Sequence, residues 1–233
     1  LTNYIKEKAG QNFTGSVCLS EHKGLSRDGK LPYSISVYEF NYMKNFIIKH
    51  NLKNGYELAT GTAISTIAIG WALKQNKGKL LSLDSYMECE VQAVPIGAKN
   101  GQFTETDITR DILKKNQQLI DLFELGNVFL KKGWSPEDTK KYIKEIFGEE
   151  KIDFVFLDCP KSLDDFVRDA EFLRDVLADK YAIFIHDTFC YPIDEFNRLA
   201  RQIFGYAKQI YEFKFDDISG HQRFPLSVIT NIE

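Results

Sequence analysis

Ile152-Asp153-Phe154-Val155-Phe156-Leu157-Asp158-Cys159-Pro160-Lys161 is the stretch whose pattern decides the fold. A run of apolar, β-branched and aromatic residues ends at a carboxylate, and a lysine follows three residues later. Strands of a parallel sheet, buried on both faces, read this way: continuously apolar, then polar where the chain leaves the core. Open α/β sheets bind ligands in the crevice at the carboxyl ends of such strands. Asp158 and Lys161 then belong at the mouth of that crevice, one to hold a cation or an amine, the other to move a proton. An aspartate in this place also suits a plain N-cap of the next helix, and the segment alone leaves both readings open.

Working outward, the same alternation of strand and helix repeats. Strands are expected at 56–59, 79–83, 127–130, 152–157 and 181–185, each followed by a helical pattern. The helices fall near 64–73, 107–125, from Pro136, at 162–177 and at 193–203, with one more ahead of the first strand from Ile35. Ser162 with Asp165 three residues on marks a helix start. The end differs in kind: 210–215 and 226–232 read as strands joined only by a polar loop through Gly220-His221, so they are most simply antiparallel. The expectation is one α/β domain with a doubly wound, seven-stranded, mostly parallel sheet and an antiparallel last strand. Residues 1–34 read as an N-terminal arm and 35–233 as the domain. The stretch 85–106 has no clean period. It is expected to be either a lid whose Tyr86, Met87, Val91, Val94, Ile96 and Phe103 close over an acceptor, or a surface insertion.

Composition narrows the partners. The 233 residues are 43% hydrophobic and 27% charged with a net charge of −3, which gives no electrostatic case for nucleic acid. No apolar run approaches the length of a membrane span, and no signal-peptide h-region is visible. Cys18, Cys89, Cys159 and Cys190 are scattered without metal-ligand spacing, as expected for reduced thiols in a cytoplasmic protein. The partner expected is a small molecule rather than nucleic acid or membrane, and a homodimer is compatible with the sequence.

The loops carry the chemistry. Glu57-Leu58-Ala59-Thr60-Gly61-Thr62-Ala63-Ile64-Ser65 is a small-residue turn between a strand and a helix. Such a turn lets a ligand approach the backbone and aims a helix N-terminus at an anionic group. It is also readable as an ordinary turn, since alanine stands at two places where a GxGxxG fingerprint has glycine, and no phosphate-binding lysine follows. Asp84 ends the second strand, where an acid accepts hydrogen bonds from ribose hydroxyls. His186 ends the fifth strand. It is either a satisfied crevice histidine or, with an ordinary pKa near neutral, a second candidate for general base.

Taken together, Glu57, Ala59, Gly61 and Ser65, Asp84, Gly133-Trp134-Ser135 and Val155-Phe156-Leu157-Asp158-x-x-Lys161 resemble the class I S-adenosylmethionine-dependent methyltransferases. The set is most similar to the catechol and caffeoyl-CoA O-methyltransferase branch and its bacterial relatives that methylate sugar or antibiotic hydroxyls. The resemblance spans about 37–232 and implies a Rossmann-like fold and methyl transfer from S-adenosylmethionine to a hydroxyl of a small molecule. It implies that Glu57 anchors the loop or the cofactor's amine end, that Ala59 and Gly61 line the methionine part, and that Ser65 lies near its carboxylate. Asp84 would hold the ribose, and Trp134 and Ser135 the adenine. Asp158 would serve cofactor and metal, Asp187 and Thr188 would complete a site for Mg²⁺ or a similar ion, and Lys161 would be the base. Threonine departs from the branch here, where asparagine is the third ligand, and a neutral hydroxyl is a poor Mg²⁺ ligand. Two other functions remain open: an NAD(P)-dependent oxidoreductase, which Asp84 suits but the alanines and the terminal strand pair do not, and a non-catalytic cofactor-binding subunit.

Overall fold

The computed structural model describes residues 37–61, 63–85, 112–158, 162–186, 188, 191–205, 208–209, 215–216, 222–223 and 226–233. The expected arm at 1–34 and all but Ser85 of the expected lid lie outside these residues, as do Lys161 and Asp187.

The elements alternate as the sequence pattern predicts. Helix α1 (Val37–Lys49) precedes β1 (Asn54–Leu58), α2 (Ile64–Gln75), β2 (Lys79–Asp84), α3 (Ile112–Leu122) and β3 (Val128–Lys132). Then come α4 (Glu137–Phe147), β4 (Ile152–Leu157), α5 (Leu163–Val176), β5 (Leu177–His186), α6 (Ile193–Phe204), β6 (Lys208–Gln209) and β7 (Leu226–Thr230). The seven strands stand in the order β3-β2-β1-β4-β5-β7-β6. β1 to β5 are parallel, and β7 inserts antiparallel to both β5 and β6. The expected seven-stranded sheet with an antiparallel last strand is therefore present.

The apolar run of β4 explains itself by alternation. Phe154 and Phe156 enter one core with α1, α2 and α3. Val155 and Leu157 enter the other, with α4, α5 and α6. Both faces are covered from Phe154 onward, so the run stays apolar to the end of the strand; Asp153, near its start, is half-buried and accepts from the Lys53 and Asn54 backbone N–H groups.

Three boundaries move. The second of these expected helices, read over 107–125, is described as Ile112–Leu122. It closes where Glu124 turns left-handed (φ 55°) and Leu125 N–H donates to Ile120 O. β5 begins at Leu177, pairing with Ile152, and the ladder shifts register before Ala182 meets Phe154. The exposed Asp179-Lys180 therefore lies inside a strand, although its polarity reads as a loop. Of the expected strand at 210–215 only Phe215 is described, and the edge strand pairing with β7 is Lys208–Gln209. A further ladder, Phe215–Asp216 against Gln222–Arg223, keeps the register of the β6–β7 pair. Among the described residues it forms a separate two-stranded antiparallel sheet. The start of α5 matches its signal: Asp165 N–H donates to Ser162 Oγ at 3.2 Å.

Candidate active site

Strand order reverses between β1 and β4, and this is where open α/β sheets place ligands. Registered partners share a face of the sheet. Ser82, Glu57, Phe156 and Phe184 form one such row across β2, β1, β4 and β5. Two residues further along the same four strands stand Asp84, Ala59, Asp158 and His186. Parallel pairing and an apolar core are thus sufficient to collect three titratable side chains at one edge, on the face covered by α1 and α2. Asp158 N–H donates to Leu58 O at 3.1 Å, fixing the aspartate beside the β1 loop.

That loop is bent where glycine is expected. Ala59 (φ 76°), Gly61 (φ 50°) and Ala63 (φ 63°) all have positive φ. Each alanine there costs about 1–2 kcal/mol relative to right-handed backbone. The conformation is held by surrounding bonds. Ala59 N–H donates to Leu83 O at 2.9 Å and Ala63 N–H to Thr60 O at 2.8 Å. Gly61 N–H donates to Asp84 Oδ2 at 2.8 Å, and the Asn116 amide donates to Gly61 O at 2.9 Å. The two alanines that weaken the fingerprint in the sequence therefore occupy the left-handed positions nonetheless. A Cβ built on Gly61 would meet no described atom within 4 Å, so the outer side of the turn is open.

Glu57 is buried beneath this loop. It accepts from Ser65 Oγ at 2.6 Å, from Thr66 Oγ1 at 2.5 Å and from Ser82 Oγ at 2.5 Å. It therefore ties α2 and β2 to β1, and Ser65 spends its hydroxyl on Glu57. Burial pushes Glu57 up to about 7, with the Asp158 charge adding to the rise and the three hydroxyls opposing it. An acid raised by folding contributes stability that is fully present below its unfolded pKa and lost as pH rises through the folded one. For Glu57 the window runs from 4.5 to about 7. Unfolding free energy is expected to fall by about 3 kcal/mol across that window on account of this group. Urea midpoints of the wild type and Glu57→Gln against pH measure it. The variant's profile should be flatter, and equal slopes would assign the loss to other groups.

Asp158, His186 and Glu39 make a buried chain. His186 Nδ1 lies 2.9 Å from Asp158 Oδ1, and Nε2 lies 3.3 Å from Glu39 Oε1. Side-chain exposure is 9% for His186, 2% for Glu39 and 21% for Asp158, so the aspartate is the member that reaches the crevice. Burial pulls the His186 pKa down, but the Asp158 and Glu39 carboxylates together raise it well above the ordinary value. The ring therefore faces a carboxylate on each side, Asp158 toward the crevice and Glu39 toward α1.

Glu39 and Asn116 have no place in the reading of the sequence. Glu39 had a signal: with Met43 and Ile47 it follows the i, i+4 spacing of the buried stripe of α1. Asn116 sits among apolar neighbours of α3 and is likewise buried.

The residues after β3 are divided. Trp134 is 55% exposed, and its N–H donates to Asp138 Oδ2 at 2.9 Å. Gly133 N–H donates to Asp84 O at 3.0 Å, which brings this loop to the end of β2. Ser135 turns inward, donating to Asp169 Oδ1 at 2.8 Å.

Of the metal set implied by resemblance, Asp158 and Thr188 are described and Asp187 lies outside the described residues. Asp158 Oδ1 lies 2.9 Å from His186 Nδ1. Thr188 is buried and its hydroxyl accepts from Ser227 Oγ at 3.0 Å. Among the described residues no group of three or more His, Cys, Asp or Glu could hold a metal ion.

No protein-family model matches the chain, and no curated protein matches it in sequence. Solved structures do match in fold. The O-methyltransferase TomG from Streptomyces achromogenes, involved in tomaymycin synthesis and solved with S-adenosylmethionine, superposes with a TM-score of 0.61 at 12% identity, covering 98% of this chain and 96% of TomG. An O-methyltransferase from Bacillus cereus in complex with S-adenosylhomocysteine gives 0.57 at 14% identity, covering 98% and 89%. A precorrin-6y C5,15-methyltransferase from Geobacter metallireducens gives 0.54 at 12% identity, covering 91% and 98%. The chain has the fold of these methyltransferases, with the Rossmann-like sheet and antiparallel last strand expected of it.

Proposed function

We propose that this chain is an S-adenosylmethionine-dependent O-methyltransferase acting on a hydroxyl of a small molecule such as a sugar, polyol, catechol-like ring or antibiotic. One observation supports it most: at the switch point, an open backbone cradle at 59–63 is hydrogen-bonded to the strand-end acid Asp84 and lies beside a crevice carboxylate, Asp158. The fold shared with enzymes solved with S-adenosylmethionine and S-adenosylhomocysteine points the same way. When bound, S-adenosylmethionine supplies an electrophilic sulfonium methyl group. The chain's own share is alignment and proton handling. Asp84 accepts hydrogen bonds from the ribose, Ala59 and Gly61 pass their backbone along the methionine part, and the exposed Trp134 ring offers a face to the adenine. Lys161, three residues past Asp158, takes the hydroxyl proton.

Calorimetric titration with S-adenosylhomocysteine and, separately, with NAD tests the reading. S-adenosylhomocysteine should bind, and Asp84→Ala should weaken it by roughly 1.5–3 kcal/mol, the range for a hydrogen bond to a charged group. NAD binding alone would favour an oxidoreductase. Cofactor binding without transfer to any of a panel of hydroxyl acceptors would favour a non-catalytic subunit. No described helix is long and apolar enough to cross a membrane.

A further inference from the structure

We propose that Asn116 is a positioning residue for cofactor binding: it fixes the Gly61 turn and, through that turn, the carboxylate of Asp84. The proposal rests on the methyl-transfer reading for what the crevice holds. It starts from a polar residue where the pattern of α3 calls for an apolar one. Asn116, Leu119 and Ile120, with Phe123 just past the helix end, recur at i, i+3, i+4 and i+7, the spacing of one helix face. All four are buried, and the last three join the core shared with α1 and α2. An amide in that row costs stability unless its polar atoms find partners. Asn116 finds one outside its own helix: Nδ2 donates to Gly61 O at 2.9 Å, across 55 residues of sequence.

The loop needs holding from outside. Its φ is positive at Ala59 and Ala63, a conformation that alanine adopts only at a cost. Gly61, between them, has the widest backbone freedom of any residue type. A Cβ there would meet no described atom within 4 Å, so packing by described atoms does not hold this residue in place. Two hydrogen bonds do. Gly61 N–H donates to Asp84 Oδ2 at 2.8 Å, and Gly61 C=O accepts from Asn116. Rotation of the backbone at Gly61 would disturb both together. The bond that holds the Gly61 N–H also orients the carboxylate assigned to the ribose. Asn116 therefore acts on Asp84 through Gly61 and touches no reacting atom itself.

The test uses the full chain and begins without ligand. Solvent exchange of the Gly61 amide, read by NMR, should be about tenfold faster in Asn116→Leu than in the wild type, the scale of one net hydrogen bond. The Leu125 amide, which donates to Ile120 O at 3.0 Å where α3 closes, should keep its rate. An unchanged rate at Gly61 overturns the proposal. So does equal acceleration at Leu125, which would mean that the helix has loosened as a whole. Calorimetry with S-adenosylhomocysteine follows. Asn116→Leu should weaken binding by about tenfold. In the Asp84→Ala background it should weaken binding by less than about threefold, because the two residues act along one path. Equal losses in both backgrounds, or no loss in either, overturn the proposal. Asn116→Ala replaces Asn116→Leu if the larger side chain prevents folding. If neither variant folds, the amide serves the core and the proposal falls. Absence of S-adenosylhomocysteine binding by the wild type would instead sink the methyl-transfer reading, and exchange at Gly61 would still decide whether Asn116 holds the turn.

Discussion

His186→Ala is expected to lower unfolding stability by roughly 3–5 kcal/mol, the cost of breaking a buried ion pair and leaving its partners uncompensated. The variant leaves the Glu39 carboxylate, 2% exposed, without the imidazole that faces it, and Asp158 without its neighbour at 2.9 Å. It also opens space behind the ring, which packs edge-on to Phe156 at 6.2 Å between centroids. Equilibrium urea unfolding of both proteins measures the difference. The sign of its pH dependence is fixed. A histidine raised by folding contributes stability that is fully present below its unfolded value and is lost as pH rises through the folded one. The gap between wild type and variant should therefore be largest below pH 6.5, shrink as pH rises from there toward the raised folded pKa, and lose this contribution above it. A gap that grows with pH would mean that the ring is neutral in the fold. A gap near zero throughout would mean that the two carboxylates reach water once the ring is gone.

The fold was legible because its signals are local and repeated. The run in β4 alternates Phe154 and Phe156 with Val155 and Leu157 between two cores, so apolar residues at every position mean burial on both faces. The ends of the strands were legible in the same way, with Asp84, Asp158 and His186 each closing one; that they share a face follows from the strand register. The limits of the reading are equally physical. Ala59 and Ala63 weaken the glycine fingerprint, yet the backbone takes the left-handed turn because the bonds to Leu83, Thr60, Asp84 and Asn116 outweigh the strain. Nothing in a local window states that. Glu39 lies on a helix ahead of the first strand, and its meeting with His186 depends on how α1 packs over β5. The Thr188–Ser227 bond likewise comes from β7 inserting beside β5, where Ser227 pairs with Ile185. A residue matched to a ligand position by motif alone carries no knowledge of such a neighbour.

His186 faces Asp158 and Glu39, and the other candidate for proton acceptor follows the segment that ends β4. Lys161 follows the crevice carboxylate by three residues, close enough in the chain to serve the same acceptor. An amine can act as base only after losing its own proton, and desolvation in a crevice pushes a lysine in that direction. Lys161→Ala is therefore expected to lower turnover by about 10²–10⁴, the usual share of a general base. S-adenosylhomocysteine affinity should be unchanged, because the loss falls on proton transfer and not on cofactor binding. The measurement is turnover on whichever hydroxyl the wild type methylates in an acceptor panel, with calorimetry on the same samples. Lys161→Arg sharpens the comparison: it keeps the positive charge but cannot give up a proton at working pH. If Lys161→Arg retains wild-type turnover, the lysine serves as a charge and not as a base. If both variants retain it while Asp158→Asn does not, the aspartate itself takes the proton, and Lys161 leaves the mechanism.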